Sequence, residues 1–484
     1  MKLLIRPAPE VAIKSKPVRR QQMRHLRQNI RKLLARLDPE IQVEGSWDRV
    51  DVQVPDGRGL SGPVVDALLR IPGISTIQEI GVFPLVSLDD VAQKAVEAFL
   101  GRLAGKTFAV RARRHGEHSF RSIDLERTVG AALMQASGAA GVDLKSPQVE
   151  VRIEVQGDQF HIAHRKHRGL GGYPLGSVEN VLTLISGGYD SSVAAYLMMR
   201  RGLRNHFLFF NLGGPAHEVG VRQVVYYLWD RYGASHSAKF ISVPFEGVVA
   251  EIMRSVSHRH WGVVLKRQML KAAAEIARKN NSLGLVTGDA VAQVSSQTLS
   301  NLNVVDRASD EVVLRPLVSM DKESIIRIAR DIGTESYART MPEYCGVISR
   351  KPATRARLHR VEEDEARMDT TVLATAIETR EETPVNRLLD TKVTPEDIEL
   401  VRTPAVDDVI IDVRHPLEGE LSPLELTSNE ILQIPFYELN QQMSGLPGNR
   451  HYLLYCDHGT MSRMHAGHLK AEGHENVKVY APAL

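Results

Sequence analysis

The run Ser186-Gly187-Gly188-Tyr189-Asp190-Ser191-Ser192 sets serine hydroxyls and a carboxylate around a pair of glycines. Before it stands an apolar stretch, Val181 to Ile185, with the length of a buried parallel strand. After it, Ser191 to Arg201 carries Val193, Leu197 and Met198 at helical spacing. The order is therefore strand, glycine turn, helix. Gly187 and Gly188 let the backbone turn tightly and approach a ligand. The hydroxyls of Ser186, Ser191 and Ser192, with the amides of a helix N-terminus, make an anion site suited to phosphate. Asp190 would repel that phosphate unless a metal ion or a reacting group stands between them. A capped helix after a glycine turn, without any ligand, is the plainer alternative.

The second chemistry belongs to sulfur. Cys345 and Cys456 are the only cysteines, too few for a disulfide framework, and no Cys/His cluster has zinc spacing. The series His161-x-x-His164-x-x-His167 falls on strand and loop, where such spacing alternates faces, so no protein-bound metal is expected. Cys456 ends an apolar strand, His451 to Tyr455, and opens the loop Cys456-Asp-His-Gly459-Thr-Met-Ser462-Arg463 before a helix. Amides aimed at a sulfur in that position stabilise a thiolate or a persulfide, and Arg463 adds positive charge. Cys345 follows the turn Met341-Pro-Glu-Tyr, where a small inert core residue is the ordinary reading.

The elements around these residues must place them. From residue 181 strands alternate with helices: Phe207 to Phe210, Val219 to Tyr232, Phe240 to Val243, Lys266 to Ala277, and Leu283 to Thr287. This is the pattern of a doubly wound parallel sheet, whose ligands bind beyond the carboxyl ends of the strands. That rule gathers Ser186–Ser191, Asn211–Gly214 and Gly288 around one crevice. Lys266 and Lys322 are candidate charges for phosphate, and Gln293 to Thr298 is a polar run able to bond a base or ribose. The expected division is 1–60, a ferredoxin-like α+β unit; 61–170, a second α+β unit; 171–352, the doubly wound domain; 353–403, an acidic linker; and 404–484, a C-terminal α/β domain. Within the last, a short strand is expected over Ile434 to Tyr437.

Charge is divided as well. Residues 1–60 hold 13 Lys/Arg against 7 Asp/Glu, whereas 353–430 hold 9 against 19. A polyanion would dock at the front. Candidate contacts are Arg24, Arg27 and Arg31 on a long helix, Pro17 to Leu37, and Arg111, Arg113 and Arg114 in Phe108-Ala-Val-Arg-Ala-Arg-Arg-His-Gly-Glu-His-Ser-Phe120. Arginines beside an aromatic and a glycine turn suit phosphate-backbone contacts better than base reading. At 43% hydrophobic and 25% charged residues, with neither a membrane-length apolar run nor a signal-peptide core, the expectation is a soluble cytoplasmic protein without membrane contact.

Ser-Gly-Gly-x-Asp-Ser resembles the PP-loop of the ATP pyrophosphatases, and without Gly-Lys-[Ser/Thr] it is not a Walker loop. The arginine string over roughly 60–170 resembles the THUMP RNA-binding domain. The Cys456 loop and Asp412-Val413-Arg414 resemble rhodanese. In this order, with Met341-Pro-Glu-Tyr-Cys345-Gly, the chain resembles the tRNA 4-thiouridine synthetase (ThiI) family in its long form. The resemblance implies tRNA as partner and ATP, with magnesium, as the adenylating reagent for a uridine at position 8. Leu184, Ile185, Ser186, Gly187, Gly188, Ser191, Lys266, Gly288 and Gln297 would bind the nucleotide, with Asp190 and Lys322 in the catalytic set. Cys456, in a loop shaped by Gly459, Ser462 and Arg463, would take persulfide sulfur from a cysteine desulfurase. Cys345 would then form a transient disulfide with it or otherwise complete sulfur release. The family also implies sulfur supply to thiamine thiazole synthesis, and a relay acting mainly on a sulfur-carrier protein is the alternative function.

Overall fold

Leu3 and Ile5 alternate with outward residues and are fully buried, which fixes Lys2–Pro7 as a central strand, β1. The helices α1 (Pro9–Ala12) and α2 (Lys16–Leu34) follow, and α2 buries Met23, Leu26, Ile30 and Leu34 along one face. Beyond them come β2 (Gln42–Gly45), β3 (Val50–Gln53), α3 (Ser61–Leu69) and the long β4 (Ile74–Pro84). Val64, Val65 and Leu68 of α3 share one core with β1 and α2. The boundary expected at residue 60 falls just before α3, whose apolar residues share this core.

The second α+β part consists of α4 (Leu88–Phe99), β5 (Thr107–His115), α5 (Ser122–Ser137), β6 (Gly141–Val142), β7 (Val149–Gln156) and β8 (Gln159–Arg168). Ser87 caps α4, its hydroxyl accepting from the Asp90 amide at 3.1 Å, as the sequence expects. Because β4 pairs antiparallel with both β1 and β8, one sheet of order β2-β3-β1-β4-β8-β7-β5-β6 joins the two parts.

The chain divides into two compact units, the break in the main course of the chain falling after Val178. In the second unit run β9 (Asn180–Leu184), α6 (Tyr189–Arg200), β10 (Arg204–Asn211), α7 (Gly214–Leu228), β11 (Lys239–Pro244), α8 (Glu246–Ser255), α9 (Trp261–Lys279), β12 (Leu285–Val286), α10 (Leu299–Asp306), β13 (Val313–Leu314), α11 (Lys322–Asp331) and α12 (Glu335–Thr340). Strands β13-β12-β9-β10-β11 are parallel. The computed structural model describes residues 1–482 apart from 56–58, 213, 342–351, 390–397, 415–418, 420–422, 425–427, 436–438, 440–441, 457–459 and 472.

The linker expected over 353–403 is in large part folded into this unit. α13 (Leu358–Glu365) and α14 (Thr370–Glu378) bury Val361, Ala376 and Ile377 in the core beside the sheet, and β14 (Glu381–Pro384) adds an antiparallel edge strand to β11. The acidic run finds its counter-charge on α9. Glu365 accepts from Arg267 Nε at 3.0 Å and Nη2 at 2.9 Å, from Gln268 Nε2 at 3.0 Å and from Lys271 Nζ at 3.0 Å.

The C-terminal part is a parallel sheet ordered β15-β19-β18-β16-β17, from β15 (Leu400–Val401), β16 (Val409–Asp412), β17 (Glu430–Gln433), β18 (Tyr452–Tyr455) and β19 (Val477–Tyr480), with α15 (Thr460–Ala471) before β19. A strand at Glu430–Gln433 pairs residue by residue with Val409–Asp412, and of the short strand expected at 434–437, residues 436–437 lie outside the described residues. Among the described residues no helix is long and apolar enough to cross a membrane.

Candidate functional site

At the end of β9 the Ile185 amide donates to Leu208 O at 2.8 Å, and the chain then leaves the sheet through Ser186-Gly187-Gly188. Gly187 has φ +80°, in the left-handed region that favours glycine, and a Cβ there would stand 2.6 Å from Met341 Cε. Helix α6 braces the turn. The Ser186 amide donates to Ser191 Oγ at 3.1 Å, and Ser192 Oγ donates to Gly188 O at 2.8 Å. Asp190, in the first turn of α6, accepts from Lys322 Nζ at 2.8 and 3.0 Å and from Gln293 Nε2 at 2.9 Å. Lys322 opens α11 and lies 5.5 Å from the centroid of the Tyr189 ring. The side chains of Lys322 and Asp190 keep 40% and 24% of their surface open, so a ligand can reach both.

Beyond β12 the chain brings Gly288 against the loop from the other side. A Cβ at 288 would lie 2.8 Å from both Asp190 C and Ser191 N, so backbone proximity, not φ, requires glycine there. The next residue, Asp289, gathers four donors: Lys266 Nζ at 2.6 Å, Thr287 Oγ1 at 2.7 Å, Gln297 Nε2 at 3.1 Å and Arg315 Nε at 3.4 Å. Burial pushes the Asp289 carboxyl up, but the charge and hydrogen bond of Lys266, the Thr287 hydroxyl and the Arg315 charge outweigh it and hold it at about 2. Lys266, a candidate phosphate charge in sequence, is here bonded to a carboxylate. Asp289 and Arg315 were not singled out, because their partners meet only in the fold; an aspartate directly after the Gly288 strand end is the signal that could have found them.

These residues fit a nucleotide. Ser186, Gly187, Gly188 and Ser191 form a turn with serine oxygens at its rim, Leu184 and Ile185 lead into it, and Lys322 supplies a cation at its mouth. Gln297 is 8% exposed and its Oε1 is buried without a hydrogen-bond partner among the described residues, an acceptor left for an incoming donor group.

Cys456, 7% exposed, ends β18. The Ser462 amide at the start of α15 donates to its Sγ at 3.3 Å, and Ser462 Oγ lies 3.4 Å away. A helix N-terminal amide therefore meets the sulfur, as the loop's sequence expects. Arg463 is exposed on the same helix. Arg414 forms a buried two-point pair with Asp412, at 2.9 and 2.7 Å, and stands 4.9 Å from the centroid of the Tyr455 ring beside the cysteine. Gly459 and Cys345 lie outside the described residues; the chain enters 342–351 at Met341, whose Cε is against Gly187 and Gly220.

The front-end arginines separate into two groups. Arg27 Nη1 donates to Gly45 O at 3.0 Å and Arg31 Nη2 to Val43 O at 2.8 Å, tying α2 to β2. Arg111 Nη2 donates to Leu144 O at 2.5 Å, and Arg114 Nη1 donates to His118 O at 3.4 Å. Arg24 and Arg113 are exposed without an ion pair among the described residues.

Comparison with known proteins accounts for every part. Residues 2–77 match the ThiI ferredoxin-like domain, 86–165 the THUMP domain, 176–370 the family described as "Thiamine biosynthesis protein (ThiI)", and 398–482 the rhodanese-like domain. Over 484 residues the chain is 79% identical to the tRNA sulfurtransferase of Marinobacter nauticus, covering 100% of both chains. The chain belongs to the tRNA sulfurtransferase family. The Pseudomonas aeruginosa tRNA sulfurtransferase is 50% identical over 485 residues, with 100% of both chains covered. A solved member of this fold, a 4-thiouridine synthetase crystallised with RNA and ATP, superimposes with TM-score 0.69 at 23% identity, covering 79% of this chain and 99% of that one. The tRNA sulfurtransferase architecture of ferredoxin-like, THUMP, PP-loop and rhodanese parts is thus the architecture of this chain.

Proposed function

We propose that this enzyme, a tRNA sulfurtransferase, converts a tRNA uridine at position 8 to 4-thiouridine through an adenylated uridine. The observation that carries the reading is the presence, in one compact unit, of a strand–glycine–serine turn–helix and of a cysteine whose sulfur meets a helix N-terminal amide. The names of the full-length relatives support tRNA as the substrate, and the nucleotide in the solved 4-thiouridine synthetase supports ATP.

ATP supplies the group that turns the C4 oxygen of uridine into a leaving group. Ser186, Ser191 and the loop amides would hold phosphate oxygens, Lys322 would offset their charge, and Asp190 would help position the magnesium–pyrophosphate or the attacking oxygen. Lys266 and Gln297 orient the nucleotide, with Leu184, Ile185 and Gly288 forming its walls. Cys456 receives a persulfide sulfur from a cysteine desulfurase. Its terminal sulfur bonds to C4 while AMP departs with the C4–O electron pair. The Cys345 thiolate then bonds to Cys456 Sγ, and the S–S pair stays on the C4 sulfur as 4-thiouridine. An external dithiol reduces the resulting disulfide. A tRNA substrate supports a cytoplasmic setting for this work. The description of the family matching 176–370 favours a second use of the Cys456 sulfur, relay to a sulfur-carrier protein in thiamine synthesis.

The test separates the two chemistries. Asp190→Ala should bind tRNA normally yet release no pyrophosphate, while Cys456→Ala should release pyrophosphate but accept no labelled sulfur. Normal pyrophosphate release by Asp190→Ala in the presence of tRNA would remove the PP-loop from the reaction.

A further inference from the structure

One stripe of α7 touches both the chain that leads to Met341 and the helix that follows Cys456. Gly220, Gln223 and Tyr227 are spaced i, i+3 and i+7, so they face the same side. At Gly220 a Cβ would lie 2.9 Å from Met341 Cε, the last described residue before the segment holding Cys345. Tyr227 OH donates to Ile332 O at 3.0 Å, and its ring centroid stands 5.0 Å from that of Tyr337, on the chain leading to Met341. Between them, the Gln223 amide meets His465 Nε2 at 2.7 Å, a contact spanning 242 positions.

Gln223 and His465 are 4% and 2% exposed. Burying an amide and an imidazole is unfavourable unless each finds a partner, so this pair specifies which surfaces meet. His465 lies on α15 three residues, about one turn, after Ser462, whose amide holds the Cys456 sulfur at 3.3 Å. Gln223 lies about one turn of α7 from the Gly220 contact with Met341, and Val221 Cγ2 would lie 3.2 Å from a Cβ on Gly187 of the phosphate turn. Two rigid helical turns thus connect the sulfur carrier to the phosphate turn, with Gln223 and His465 as the joint.

We propose that Gln223 and His465 are positioning residues that seat the sulfur-bearing loop beside the phosphate turn and the entry to the Cys345 segment. The pair acts after persulfide loading and independently of nucleotide binding. The inference rests on the sulfur-transfer reading given above. Neither side chain touches the reacting atoms. Removing the bond lowers the seated fraction, and with it the rate of sulfur delivery.

The test uses full-length Gln223→Leu in single turnover with tRNA, ATP and a cysteine desulfurase. Pyrophosphate release and labelling of Cys456 should match the wild type, while tRNA thiolation slows about tenfold, equivalent to about 1.4 kcal/mol in seating. Sodium sulfide supplied in place of the desulfurase needs no seated carrier, and should bring variant and wild type to equal thiolation. Unchanged desulfurase-dependent thiolation in Gln223→Leu would overturn the proposal, as would loss of pyrophosphate release together with the sulfide reaction. As a second measurement, Gln223→Cys with His465→Cys, in a chain whose Cys345 and Cys456 are replaced by serine, should be bridged by a short bifunctional thiol reagent. Absence of that bridge in the folded protein counts against the seat. If the wild type itself forms no AMP and loads no sulfur, the sulfur-transfer reading fails, while the bridge still decides the contact.

Discussion

At Asp289 a single carboxyl, 7% exposed, faces Lys266, Thr287, Gln297 and Arg315, the last also paired with Asp306. Its carboxyl titrates at about 2 when folded against a reference value of 3.8, so the proton is bound more tightly in the unfolded chain. The stabilisation is complete above about pH 4 and is lost as pH falls toward about 2, amounting to about 2 kcal/mol. Asp289→Asn leaves two cations facing a neutral amide and should destabilise the protein by about 3 kcal/mol at pH 7. In urea titrations the gap between variant and wild type should narrow as pH falls from about 5 toward 3. Because Asp289 orients Lys266 and Gln297, the KM for ATP should rise while tRNA affinity holds. Equal ATP affinity would show that Asp289 serves the fold alone. The phosphate turn itself was legible in sequence, because its strand, glycines and serines are contiguous. Asp289 was not, because its cationic partners stand 23 and 26 positions away in opposite directions.

Among elements, α13 shows how a charge pattern misleads when its complement is remote. Glu362–Glu365 reads as a solvated acidic run, yet Glu365 packs against α9, where Arg267 is 3% exposed. Burial raises the Glu365 carboxyl, but the Arg267 hydrogen bond and the Lys271 and Arg267 charges bring it below the usual carboxylate range. Arg267 and Lys271 are spaced i, i+4, so the acceptor for their shared face was implied, but nothing local says which carboxylate fills it. Glu365→Gln should therefore destabilise by about 2 kcal/mol, since it leaves a buried guanidinium with only the more distant, half-exposed Glu362, at 4.0 Å, as counter-ion. The double change Arg267→Met with Glu365→Leu should recover most of that loss. Urea unfolding midpoints check both. If Glu365→Gln unfolds like the wild type, the helix is held by Val361 and its apolar neighbours, and the ion pair is incidental.

For the whole molecule, the question is where a polyanion is gripped. The sequence counts six candidate arginines; the structure divides them by what their guanidinium groups already hold. Arg27 and Arg31 donate to carbonyls of β2, and Arg111 and Arg114 to Leu144 and His118, so part of their donor capacity serves the fold. Arg24 and Arg113 are exposed and make no ion pair among the described residues. No pattern of spacing could have made that division, because carbonyl partners carry no side-chain signature. If tRNA docks on the first unit, as the basic charge of residues 1–60 leads one to expect, its affinity should fall linearly in log–log form with salt, each phosphate contact contributing a slope of roughly 0.7 to 0.9. Arg113→Ala and Arg24→Ala should each reduce that slope by one such contact and leave the unfolding midpoint unchanged. Arg27→Ala and Arg31→Ala should lower the unfolding midpoint, each by about 1 kcal/mol, for the lost bonds between helix and strand. Fluorescence titrations of the full chain with tRNA over a range of potassium chloride, run beside thermal unfolding, read both quantities. Equal slope changes in all four variants would mean that the carbonyl-bound arginines swing out to phosphate, and that burial in the free protein does not choose the docking residues.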